Sequence, residues 1–227
     1  MGIKLVALDV DGTIAEPSEP VKKEIAEKLR NLEGRGVRIV LASGKNSSYL
    51  SGLARGMGIK NPLLIAENGC VIFDPVKIEE IRLVERPIEI SIIESEVVSR
   101  FKDSIWLLPT QVDLAILPKV KKTLPELISY VKESVKPFNE KVVVLEHEDA
   151  VDVLPTGIDK GKALAKISRL YGVRKENVVV VGNFSNDIPM FSEAMFFLIV
   201  GNQIGHCEGA KRFKTIKEAL KFVEKLM

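Results

Sequence analysis

Two carboxylates two residues apart, Asp9 and Asp11, end an apolar run (Leu5 to Leu8) and are followed at once by Gly12 and Thr13. Unpaired acids this close repel one another, so the pair calls for a cation. Three more segments carry side chains able to bind or transfer: Ser43-Gly44-Lys45, Asp159-Lys160-Gly161, and Gly182-Asn183-Phe184-Ser185-Asn186-Asp187. Singly, each has a plain structural reading as a turn, a solvated lysine or a helix cap. What raises them above that is where they fall along the chain.

Each segment sits at the end of a predicted strand or the start of a predicted helix. The run from residue 4 reads as a strand buried on both faces of a parallel sheet, since it does not alternate with polar residues. Pro17 and Pro20 mark a loop, after which Val21, Ile25, Leu29 and Leu32 recur at helical spacing until Gly34 or Gly36. Val37–Ala42 is a second strand, ending in Ser43-Gly44. A helix follows with Leu50, Leu53 and Met57 on one face, then a strand over 62–66 and a turn at Glu67-Asn68-Gly69 into Val71–Phe73. Strand and helix alternating in this way predict a doubly wound parallel sheet, whose ligands bind at the carboxyl ends of its strands.

Near residue 80 the rhythm changes. Residues 88–101 read as helix, 105–108 and 111–117 as strands, 120–134 as helix, and 141–146 and 150–154 as strands. Helix followed by two strands, twice, is an α+β pattern with antiparallel pairing. We expect a core built from residues 1–81 and 153–227 and a smaller α+β domain inserted over 82–152, within the usual size of a domain. The first rhythm resumes with a helix over 161–170 and strands over 178–181 and 196–200. Thr215 and Glu218 form a capping-box pattern opening a last helix.

Composition removes several classes. Across 227 residues, 33 Lys and Arg stand against 31 Asp and Glu, so no basic footprint for nucleic acid exists. No apolar stretch approaches a membrane span, and the short apolar run at the N-terminus ends in Asp9, unlike a leader. A cytoplasmic location is expected, with Cys70 and Cys207 as thiols rather than a structural disulfide. A monomer or homodimer fits these features.

Taken in order, Asp9-Val10-Asp11-Gly12-Thr13, Ser43-Gly44, Lys160 and Gly182 to Asp187 resemble the four motifs of the haloacid dehalogenase superfamily, over essentially the whole chain. The insertion lies between the second and third motifs, and its short cap is similar to that of archaeal phosphoglycolate phosphatases and related sugar-phosphate phosphatases. The resemblance implies a Rossmann-like core and a magnesium-dependent phosphatase acting on a small phosphorylated metabolite. It implies Asp9 as nucleophile and Asp11 as general acid and base. Ser43, Gly44, Lys160 and Asn186 are then the phosphate-binding residues, and Asp9, Asp11, Asn183 and Asp187 surround Mg2+. The last motif ordinarily begins Gly-Asp, and Asn183 replaces that acid, leaving the metal site one negative charge poorer. A catalytically weak binding or regulatory protein on the same scaffold, or a phosphomutase, are the competing readings. Cap loops near 106–111 or 146–149 are expected to meet the substrate, with His147 as a solvated turn residue.

Overall fold

The computed structural model describes residues 2–17 and 19–227. Strands β1 (Leu5–Asp9), β2 (Arg38–Ala42), β3 (Leu63–Ala66), β4 (Val71–Asp74) and β5 (Glu79–Arg82) form one sheet. It is completed by β10 (Val178–Gly182), β11 (Phe196–Val200) and β12 (Lys211–Phe213). The order across it is β12-β11-β10-β1-β2-β3-β4-β5. From β12 to β3 the pairing is parallel, with Leu5 opposite both Val178 and Arg38, and β4 and β5 add an antiparallel edge.

Helices cover both faces, which explains the unbroken apolar strands. Val6 and Leu8 of β1 pack on one side with α1 (Lys23–Gly34), α2 (Ser47–Met57) and α7 (Ile216–Lys225). Leu5 and Ala7 pack on the other with α5 (Lys160–Leu170) and α6 (Ile188–Phe191). Of the Thr215 cap, Oγ1 accepts from Glu218 N as the pattern requires, but the Glu218 carboxylate reaches back to Lys214 N rather than to Thr215 itself.

The insertion is a four-stranded antiparallel sheet in the order β6-β7-β9-β8, from β6 (Ile105–Leu107), β7 (Leu114–Pro118), β8 (Val142–Glu146) and β9 (Val151–Pro155). Helices α3 (Ile88–Phe101) and α4 (Leu124–Val135) lie on one face and share with it a separate apolar core, including Ile93, Leu127 and Val153. Its other face, carrying Asp113, Ala115 and Asp152, turns toward the core sheet. β5 ends at Arg82 and β9 runs to Pro155, against expected boundaries of 82 and 152.

The position of the site follows from the strand order. From β1 the chain moves to β2 and β3 on one side, then returns after the insertion to β10 on the other. The helices leaving β1 and β10 therefore diverge, and a crevice opens beyond the carboxyl ends of these strands.

Candidate active site

Asp9 is the last residue of β1, Ser43 and Gly44 follow β2, and Asn183 follows β10. Lys160 arrives from α5, whose N-terminus is set by Asp159: its Oδ1 accepts from Lys162 N at 2.8 Å. That cap places Lys160 in the first turn, aimed at β1. Seven of the residues singled out from sequence line one cavity of about 140 Å³: Asp9, Asp11, Ser43, Gly44, Lys160, Asn183 and Asn186. Asp187 does not line it and lies fully buried behind Lys160.

The centre is a buried charge cluster. Lys160 Nζ donates to Asp9 Oδ1 and to Asp187 Oδ1, both at 2.7 Å. The second oxygen of Asp187 accepts from Asn183 N at 3.0 Å and Phe184 N at 3.1 Å, so Asp187 orients the lysine and the turn after β10 together. Lys160 is 2% exposed. Burial alone would lower its pKa, but the two carboxylates outweigh that and raise it, so the ammonium stays charged. Asp9 is pushed up to about 7, first by burial, then by the charge of Asp187, with Lys160 opposing. One lysine does not neutralise Asp9, Asp11 and Asp187 together.

That excess of negative charge, beside oxygen donors at the strand ends, fits a hard divalent cation such as Mg2+. Asp9 could supply an acidic oxygen, and Asn183 and the Asp11 backbone carbonyl neutral ones, which leaves the Asp11 carboxylate free. Among the described residues no group of three or more His, Cys, Asp or Glu is arranged to hold an ion. One of these oxygens belongs to a side-chain amide, and Asp187 is committed to Lys160. Asn183 is itself tied on both sides: Oδ1 accepts from the Thr13 hydroxyl at 3.1 Å, and Nδ2 donates to Gln203 Oε1 at 2.7 Å. Thr13 of the first motif thus holds the start of the fourth.

A family model described as haloacid dehalogenase-like hydrolase matches residues 6–97 and 100–210. The chain belongs to that family. Among curated relatives of this haloacid dehalogenase-like hydrolase is phosphoglycolate phosphatase 1 of Saccharolobus solfataricus, 26% identical and covering 99% of this chain and 96% of its own. Another is the 5-amino-6-(5-phospho-D-ribitylamino)uracil phosphatase of Bacillus subtilis, 26% identical over 88% of this chain and 84% of its own. A solved haloacid dehalogenase-like hydrolase from Bacteroides thetaiotaomicron shares the fold, with a TM-score of 0.82 at 20% identity over 99% of this chain and 100% of that one.

Sequence reasoning missed the residues that join the cap to the core of this hydrolase. Glu67 and Asn68 both adopt left-handed backbone, φ 51° and 53°, although neither is glycine. Each costs about 1–3 kcal/mol in that region, which the contacts they make must offset. Buried Glu67 accepts from Gln111 N at 2.9 Å and Val112 N at 2.7 Å, both in the cap loop before β7. Asn68 donates to Asp152 Oδ2 at 2.8 Å and accepts from Asn186 Nδ2 at 3.3 Å. The next residue must be glycine: at φ 106°, a Cβ on Gly69 would stand 2.3 Å from the Asp159 carbonyl oxygen. In the sequence these positions carry only a turn signal.

His147 corrects an expectation. Its side chain is 22% exposed, its Nε2 lies 2.9 Å from Asp152 Oδ2, and its ring stacks on Phe184, so it is a wall of the cavity rather than a solvated turn residue. Burial lowers its pKa, but the hydrogen bond and charge of Asp152 prevail and raise it. Of the other expected cap contacts, Leu108 lines the cavity, while Trp106 is exposed beneath the Lys119 ammonium and the Gln111 backbone is held by Glu67.

Proposed function

We propose that this hydrolase is a magnesium-dependent phosphatase that cleaves a small phosphate monoester, phosphoglycolate or a sugar phosphate, through an aspartyl-phosphate on Asp9. The observation that carries the reading is Lys160 Nζ at 2.7 Å from Asp9 Oδ1, inside a cavity at the switch point of the sheet. Phosphate monoesters are so inert that their enzymes reach accelerations of about 10²¹-fold. An anionic nucleophile must approach an anionic phosphoryl group, and a fixed buried cation beside the nucleophile removes most of that repulsion.

Asp9 Oδ1 is held by Lys160, leaving Oδ2 to attack phosphorus as the bond to the alcohol oxygen breaks. Asp11, half-buried at the cavity wall, gives its proton to the leaving alcohol and then takes one from the water that hydrolyses the acyl phosphate. The Ser43 hydroxyl and the Gly44 N–H bind phosphoryl oxygens, with Asn186 and Lys160 completing the cradle. Asp9, Asp11 and Asn183 would hold Mg2+, with Asp187 behind them; when bound, the ion supplies positive charge to the nucleophile and the phosphoryl group. The cavity, about 140 Å³, is well below the ~300–1,000 Å³ typical of drug-sized ligands, which supports a small metabolite. Two free cysteines support a cytoplasmic setting, and among the described residues no helix is long and apolar enough to cross a membrane.

Hydrolysis of p-nitrophenyl phosphate with and without Mg2+ tests the reading. Asp11→Asn should slow turnover by about 10²–10⁴-fold, and Asp9→Asn should abolish it. Retention of most of the rate by Asp9→Asn would rule out the covalent route. The commitment of Asn183 to Thr13 and Gln203 favours one other reading, a catalytically weak binding protein. Phosphate or tungstate binding without any turnover in Mg2+ would select it.

A further inference from the structure

Above the reaction centre the cavity is walled by the cap, and among the described residues the cap contributes neither Lys nor Arg to its lining. Its polar lining consists of Asp152, His147, Glu148 and Asp149; the rest is small or apolar, such as Ala115 and Leu117. Asp152 is 3% exposed and held in place. Its Oδ2 takes hydrogen bonds from Asn68 Nδ2 at 2.8 Å and His147 Nε2 at 2.9 Å, while Oδ1 has no hydrogen-bond partner among the described residues. It also stands directly over the turn that follows β2: a Cβ on Gly44 would lie 3.2 Å from Asp152 Oδ2 and 2.9 Å from Asn68 Nδ2. Asp152 therefore borders the Ser43-Gly44 turn from the cap side of the same cavity, within reach of an ester bound there.

We propose that the Asp152–His147 pair selects the leaving group, accepting hydrogen bonds from the hydroxyls of an uncharged polyhydroxylated alcohol and rejecting alcohols that carry a carboxylate. A hydroxyl reaching Asp152 donates to a charged acceptor, the stronger class of hydrogen bond. A carboxylate in the same place meets Asp152, Glu148 and Asp149. The imidazole of His147 is the one group on the cap side able to offset them, and it is committed to Asp152. Among the described residues, the lysines of the lining are Lys160 and Lys45, the latter on the core rim. This inference rests on the phosphatase reading and chooses between its two substrates: a sugar or polyol phosphate over phosphoglycolate.

The test compares kcat/KM for glycerol 1-phosphate, 2-phosphoglycolate and p-nitrophenyl phosphate in Mg2+, using the full chain. Glycerol 1-phosphate should exceed phosphoglycolate by about tenfold or more, since solvent screening leaves only part of the cost of a like-charge contact. Asp152→Asn should shrink that ratio severalfold, because the charge goes while an amide oxygen remains. His147→Ala should widen it, because Asp152 loses the group that offsets it. A residue that only supports the fold would change all three substrates in parallel, and parallel losses in both variants would overturn the assignment. An equal or higher kcat/KM for phosphoglycolate in the wild type overturns it without touching the phosphatase reading. Failure to hydrolyse any of the three overturns both.

Discussion

Asp9 is placed where its charge is costly, and that cost sets a pH dependence. Its pKa in the folded chain, about 7, lies above the ~3.9 of an unfolded aspartate. Between these values the folded state binds more protons than the unfolded state, so stability falls as pH rises. In metal-free protein this contribution should be full below about pH 4 and lost by about pH 7–8. Asp9→Asn removes it and leaves Lys160 paired with Asp187. At pH 8 in chelator the variant should therefore unfold at the same or a higher denaturant concentration than wild type, while being inactive. Urea titrations at pH 5 and pH 8 measure this, and a variant much less stable at pH 8 would contradict the charge picture.

Asn183 is the second residue whose chemistry can be separated from its packing. Its oxygen and its amide group are held by Thr13 and Gln203. Asn183→Asp restores a charge near the metal at the expense of the bond to Gln203. A unit charge a few ångströms from a divalent ion is worth several kcal/mol before desolvation and screening remove most of it. The Mg2+ concentration for half-maximal activity should fall modestly. If it is unchanged or rises, Asn183 does not sit at the metal.

At the scale of elements, the contact between the cap and the core sheet hangs on the strained turn after β3. The Glu67 carboxylate binds three N–H groups of the loop before β7, those of Gln111, Val112 and, at 3.4 Å, Asp113, and hydrogen bonds to carboxylates are worth about 1.5–3 kcal/mol each. Glu67→Gln keeps the shape and halves the acceptors. Proteolysis of the loop around Gln111 should accelerate severalfold in the variant, with the core strands unaffected. Equal cleavage rates would show that the turn does not hold the cap. Beside it, Asp113 is fully buried with neither carboxylate oxygen hydrogen-bonded among the described residues. Burial, and then the neighbouring charges of Asp152 and Glu67, hold its pKa well above the usual carboxylate range.

For the whole molecule, the separate apolar core of the insertion predicts separable folding. Ile93, Leu127 and Val153 belong to it, whereas the two layers of the core sheet are built mainly from the remaining chain, with Val112, Leu145 and Leu154 the cap residues that join one of them. Replacing residues 85–155 by a short glycine linker should leave a core that unfolds cooperatively and binds tungstate. It should lose discrimination among phosphate esters, since Asp152, His147 and the loop at Leu108 go with the cap. Unchanged relative rates across a panel of esters would remove the cap from specificity.

Periodicity and motif order, read from the chain alone, determined the parallel sheet, the place of the insertion and the helix over 88–101. These depend on local patterns: strands buried on both faces are apolar throughout, and amphipathic helices repeat their apolar residues. They also singled out Asp9, Asp11, Ser43, Gly44, Lys160, Asn183 and Asn186, which the fold brings to one cavity, because each lies at or just beyond a strand end or helix start. The edge strands β5 and β12 escaped notice, since edges are protected by exposed charged residues such as Glu79, Glu80, Lys211 and Arg212 and so lack the buried pattern. Only the tertiary structure decided that Asp187 grips Lys160 rather than lining the cavity, that Glu67 and Asn68 tie the cap to the core, and that His147 joins Asp152 in the cavity wall. Such contacts join residues as far apart as Asn186 and Asn68. Their geometry is set by how distant segments of the core pack together and how the cap meets them, and local spacing carries no record of it.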